Sequence, residues 1–163
     1  MKPRRAVPLA IAAASLAACA GSGTEPSPAS SPPTTCPVPV AIASPTFSAD
    51  VLPRILHTSC GAGSAASCHG GTSPPGHVSW DPSRTAPEVL GDLVNVVPSN
   101  APPGQGWLRV TPGDVAHSWL LEKVTRDSPG GSGYGARMPY SLPNLCDPTV
   151  QTIASWIERG APE

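Results

Sequence analysis

The chain has 163 residues, enough for one small domain, with 23 Pro, 16 Gly and an aromatic content of only 4%. Ten Lys and Arg stand against eleven Asp and Glu with no basic patch, which argues against a nucleic-acid-binding surface. So few large apolar side chains build only a small core, and a domain of that kind needs a staple or a cofactor.

The N-terminus reads in three parts. Lys2, Arg4 and Arg5 are positive, residues 6–14 are apolar, and Leu16-Ala17-Ala18-Cys19 follows. The apolar run is too short to span a bilayer as a helix. The arrangement resembles the lipobox of bacterial lipoproteins, in which a small residue precedes a cysteine. That resemblance implies that residues 1–18 are a signal peptide removed on export, and that Cys19 becomes a lipid-bearing N-terminus. Several acyl chains on one residue make a stable membrane anchor, since each buried methylene contributes about 0.8 kcal/mol. The expected location is the cell envelope, at the outer membrane or the periplasmic face of a membrane. An ordinary secretory signal with an incidental cysteine is the alternative. Removing residues 1–18 takes away three cations and leaves the chain mildly acidic, at about −4.

After Cys19, residues 20–45 are rich in Gly, Ser, Thr, Pro and Ala and end near Cys36-Pro37-Val38-Pro39. This composition buries too little apolar surface to fold and predicts an extended, disordered stalk. The lipidated N-terminus and linker would span 19–45, and the folded domain 46–163.

Four helices are predicted there. The first covers about 48–58, with Phe47, Val51 and Ile55 on one side, Ser48 as cap and Pro53 near the first turn. The second covers about 86–95, where Thr85 and Glu88 form a capping box. The third covers 115–125, capped by Asp114, with Trp119, Leu120 and Val124 apolar. The fourth covers 148–159, with Asp147 as cap, Pro148 in the first helical position and Gly160 as terminator. Val150, Ile153, Trp156 and Ile157 make its apolar stripe. No segment alternates as a strand should. The loops are long and Gly/Pro-rich, above all 128–137, which contains Gly130, Gly131, Gly133 and Gly135. The fold class is therefore all-α, with about four short helices.

Cys60 and Cys68-His69 follow the first helix, and Arg137-Met138-Pro139 follows the glycine-rich loop. Pro112-Gly113-Asp114 and Ser118-Trp119-Leu120 lie between, and Trp156-Ile157-Glu158-Arg159-Gly160-Ala161 comes near the end. In this order the segments resemble class I cytochrome c domains, especially those of exported bacterial proteins, over about residues 46–162. The resemblance implies a small cytochrome c-like fold and one covalently bound heme c. Cys60 and Cys68 would attach the haem through thioethers, His69 would be the proximal ligand and Met138 the distal one. Such His/Met ligation raises the reduction potential and closes both axial positions. The implied role is a monohaem electron carrier, not an enzyme. Its partners would be the membrane, through Cys19, and other exported redox proteins, with basic surfaces favoured by the acidic chain. The glycines of 128–137 would wrap the haem edge, Pro139 would stiffen the ligand loop, and Arg109 or Arg137 would meet a propionate.

The spacing departs from the usual C-x-x-C-H. Seven residues, all Gly, Ala or Ser, separate Cys60 from Cys68 and would have to loop out. A second reading uses the same cysteines differently. With Cys19 lipidated, Cys36, Cys60, Cys68 and Cys146 remain, and four cysteines allow three pairings. Cys60–Cys68 would close a short loop, with His69 on the surface and Met138 in the core. Cys36–Cys146 would tie the start of the domain to the last helix, and it suits both readings because first and last helices pack together in cytochrome c folds. On the second reading the chain is a haem-free structural or interaction module. Among the other histidines, His57 is expected at the surface and His117 exposed on the third helix, while His77 is a reserve distal ligand. The Cys/His spacing matches no standard zinc module. Gly61-Ala62-Gly63 and Gly131-Ser132-Gly133 lack the strand and Lys-Ser/Thr of a phosphate loop.

Overall fold

Thr46 opens the first helix. Its hydroxyl accepts the Ala49 N–H at 3.4 Å, and its own N–H donates to Asp50 Oδ2 at 3.0 Å. This reciprocal arrangement makes Thr46 the cap, two residues ahead of the expected Ser48. Helix α1 then runs through a wide stretch, Phe47–Leu56, and a closing turn, His57–Ser59. The winding is of the π type: Val51 N–H donates to Thr46 O, and His57 N–H to Leu52 O. Pro53 lies inside it. In an α-helix its ring would press on the carbonyl of Ala49 and one ladder bond would be lost, so wider winding relieves the clash.

The computed structural model describes residues 34–61, 68–71 and 73–163, with the side chains from Cys36 onward. They belong to one compact unit, Pro32–Glu163. The expected signal peptide, the lipidated Cys19 and most of the segment between Cys60 and Cys68 lie outside the described residues. These residues form a small, mostly helical fold, and none of the described helices is long and apolar enough to cross a membrane.

Helix α2 spans Ala86–Leu93, and Glu88 Oε2 accepts the Thr85 N–H at 2.7 Å as the sequence predicts. It stops short of Asn95. Val94 turns extended to bridge Val110, and Asn95 takes φ 59° while donating its N–H to Val110 O at 3.0 Å. Helix α3 spans Trp119–Thr125, shorter than the expected 115–125. Asp114 does not cap it. Its Oδ1 accepts the Ala116 and His117 N–H groups at 3.0 and 3.2 Å, which turns the chain before the helix. Fully buried Ser118 completes that turn by accepting the Thr111 N–H at 2.9 Å and donating to Asp114 O at 2.7 Å.

Helix α4 spans Asp147–Glu158, one residue earlier than expected, because Cys146 rather than Asp147 is the cap. The Cys146 carbonyl accepts the Thr149 and Val150 N–H groups at 3.0 and 3.1 Å. Pro148 occupies the first turn, and Gly160, at φ 90°, follows the end. Against it sits the heart of the core. Phe47 stacks on Trp156 with ring centroids 5.3 Å apart. The Pro162 carbonyl accepts both the Phe47 N–H at 3.0 Å and the Trp156 Nε1–H at 2.9 Å. The two end helices are thus joined by packing and by a shared acceptor.

Two findings depart from the sequence reading at the N-terminal edge. A two-stranded parallel sheet forms from β1, Thr34–Thr35, and β2, Asn144–Leu145. The disulfide Cys36–Cys146, with Cα atoms 5.1 Å apart, follows both strands and fixes them together. Residues 36–42, assigned to a disordered linker, pack along α4. Val38 is fully buried, with its N–H donated to Thr149 Oγ1 at 3.2 Å, and Ile42 N–H donates to Thr152 Oγ1 at 3.0 Å. Threonine hydroxyls on α4 thereby satisfy a proline-rich strap that has no ladder of its own.

Candidate functional site

A cleft of about 160 Å3 opens beside α2 and α3, with largely apolar walls that include Leu93, Trp119, Leu120 and Val124. Cys60, His69 and Met138 all line it. Residues from three separate stretches of sequence therefore meet at one place.

His69 is held in a defined orientation. Its Nδ1 lies 2.9 Å from the Val78 carbonyl, and the Trp80 ring lies 4.4 Å from its own, centroid to centroid. A carbonyl only accepts, so in the neutral ring Nδ1 carries the proton and Nε2 keeps its lone pair. This is how a metal-ligating histidine is prepared, with the second nitrogen engaged by a carbonyl. Burial lowers its pKa from the ordinary 6.5, the Val78 carbonyl opposes that, and the charge of Lys123 adds to it.

The His69 N–H donates to the Cys60 carbonyl at 3.0 Å. In C-x-x-C-H the histidine is four residues after the first cysteine, and one helical turn makes that same bond. Here the bond closes although nine positions separate the two residues. Cys60 and Cys68 both carry free thiols. Burial, then the neighbouring Cys68, push the Cys60 thiol up to about 12. Gly61 is demanded by close approach: a Cβ there would sit 2.9 Å from the Trp80 carbonyl and 3.2 Å from the His57 Cα.

Met138 arrives on the glycine-rich loop. Its N–H donates to the Lys123 carbonyl on α3 at 2.7 Å. Gly130 turns the start of this loop with φ 64°, where a Cβ would meet Pro102 Cγ at 2.6 Å. Lys123 lines the cleft, and burial lowers its pKa.

The remaining expectations separate. Arg109 lines the cleft and donates to the Asp92 and Gly76 carbonyls, each at 2.7 Å. Arg137 turns away: its Nε donates to Val124 O at 3.0 Å, and its Nη1 lies 3.5 Å from Asp127 Oδ1. His57 is half-buried rather than fully at the surface, and its Nε2 is buried without a partner among the described residues. His77 is exposed in a turn at φ 55° and does not line the cleft. His117 is exposed as expected but precedes α3, where its Nδ1 lies 2.7 Å from Asp114 Oδ2.

Two cleft residues escaped the sequence reading. Trp80 leaves its Nε1–H buried and unpartnered among the described residues; an isolated tryptophan in a Gly/Pro-rich loop just after Cys-His was the available signal. Lys123 shares a helix face with Trp119 and Leu120, and a lysine on an apolar stripe was the signal there.

These residues suit a haem in chemistry: an imidazole with its Nε2 lone pair free, a thioether, the Cys60 thiol, apolar walls, and an orphaned Trp80 N–H; Cys68, the other free thiol, is not among the residues that line the cleft. Among the described residues no three His, Cys, Asp or Glu side chains gather as a separate metal-binding cluster. Comparison with protein families, with curated proteins and with solved structures finds no match to this chain.

Proposed function

We propose that this chain is a membrane-tethered monohaem c-type cytochrome that carries electrons outside the cytoplasm. The observation that carries the reading is His69: tied to the Cys60 carbonyl, oriented by Val78, and lining one cleft with Met138. Cys60 and Cys68 would hold the haem covalently, and His69 and Met138 would take the two axial positions. Bound haem supplies a one-electron iron couple. The chain's own part is to keep His69 in the tautomer with a free Nε2, to exclude water with Leu93, Leu120 and Val124, and to place cations at the cleft. Arg109 and Lys123 would offset the propionate charges, and the Trp80 Nε1–H would find its missing acceptor. The lipid on Cys19 would keep the domain close to redox partners at the same membrane.

A haem-free module remains the competing reading, because the Cys36–Cys146 disulfide already staples the fold. The two separate in one experiment. The full chain is produced in a bacterium with c-type haem attachment machinery, denatured, and examined for haem on the polypeptide. Haem should stay attached, and be lost in His69→Ala and in Cys60→Ser with Cys68→Ser. A colourless chain whose intact mass shows two disulfides would overturn the cytochrome reading.

A further inference from the structure

We infer that Lys123 is the positioning residue for Met138, acting as a spool around which the glycine-rich loop is wound. The inference rests on the cytochrome reading for its consequence but not for its geometry. Three bonds converge on this one residue. Its backbone carbonyl accepts the Met138 N–H at 2.7 Å. Its ammonium donates to the Tyr134 and Ala136 carbonyls at 3.2 and 2.9 Å. Asn100 Nδ2 donates to the same Tyr134 carbonyl at 3.3 Å and adds a second hold on the loop.

The placement is costly unless it serves something. The side chain is half-buried, the nitrogen sits 5.7 Å from the centroid of the Trp119 ring, and no carboxylate ion-pairs with it among the described residues. A half-buried ammonium finds its compensation here in backbone carbonyls and an aromatic face. Those carbonyls belong to the residues leading to Met138. A loop this rich in glycine has high conformational entropy when free, so without such a tether the thioether would be delivered to the cleft only part of the time. Gly135 also belongs to the design: a Cβ there would stand 3.1 Å from the ammonium.

The variants Lys123→Ala, Gly135→Ala and Lys123→Arg separate the possibilities. In the full chain without haem, exchange of the Met138 amide, which donates to Lys123 O, should quicken by about tenfold or more in Lys123→Ala, because the two charge-assisted hydrogen bonds that hold Tyr134 and Ala136 are lost. Gly135→Ala should act in the same direction, because a Cβ is strained at φ 84° and would also crowd the ammonium, and Lys123→Arg should largely restore protection. In the haem-loaded chain, Lys123→Ala should weaken or abolish the sulfur-to-iron absorption of the Met ligand and lower the reduction potential. Unchanged exchange in both Lys123→Ala and Gly135→Ala, with helical content intact, overturns the spool. Faster exchange with undiminished Met ligation in the loaded chain overturns its role for Met138. A chain that takes up no haem overturns the cytochrome reading, while the exchange data still decide the spool.

Discussion

Between α1 and α4, Phe47 stacks on Trp156, and Ile153 and Ile157 are fully sealed from solvent. Beside α2 and α3, by contrast, the walls stay open and line a cleft with Cys60, His69, Lys123 and Met138. On the first side the Pro162 carbonyl takes two donors, and Thr149 and Thr152 serve the strap at Val38 and Ile42. The second leaves the Trp80 N–H without a partner among the described residues. The contrast teaches that stability and chemistry are divided between the two sides. One carries the fold, and the other gathers a thiol, an imidazole, an ammonium and a thioether around one space.

The largest test of that division is Trp156→Ala. Truncating this fully buried ring should cost about 3–5 kcal/mol of unfolding free energy, measured by denaturant titration of the full chain. A loss under about 1 kcal/mol would mean that the α1–α4 side does not carry the fold. A smaller effect is expected from replacing Cys36 and Cys146 together by serine. The link closes 110 residues of sequence separation, and its removal should cost about 2–5 kcal/mol. The strap should loosen with it, giving faster amide exchange at Val38 and Ile42. Unchanged thermal stability in that double variant would leave the staple without a role.

Local signals were readable in the sequence, and tertiary ones were not. Thr85 with Glu88, and Pro148 with Gly160, mark helix ends through contacts a few residues apart, and both marks are found in the structure. The pairing of Cys36 with Cys146 was also legible, as one of three possibilities. The wide winding around Pro53 was not, because both α and π turns place Val51 and Ile55 on a buried side. Asp114 looked like a helix cap because caps and tight turns use the same Asx geometry; Ser118, held from Thr111, decides between them. The strap at 36–42 looked unfolded because its partners, Thr149 and Thr152, lie more than a hundred residues away. At the cleft, Cys60, His69 and Met138, singled out by their neighbours in the sequence, are found lining one space. The bond that brings His69 back to Cys60 across the long spacing was not, nor were Trp80 and Lys123, whose roles exist only through contacts.

The smallest expected effect concerns two histidines. His57 ends α1, and burial lowers its pKa from 6.5 despite the opposing charge of Asp81. His69 lies in the cleft and is lowered by burial as well. An unfolded chain takes up protons on both near pH 6.5, whereas the fold resists them. Below that pH the unfolded state therefore binds more protons, and stability must fall as pH falls. The contribution is complete above about 6.5, is lost progressively below it, and levels off once pH passes the lower folded values. Haem-free chain should show lower denaturation midpoints at pH 5.5 than at pH 7.5. His57→Gln should remove the share of His57 and leave that of His69. Midpoints that stay flat in the parent chain would deny the burial of both rings. A slope removed entirely by His57→Gln would assign the effect to His57 alone and leave the His69 ring as ready to accept a proton as in solution.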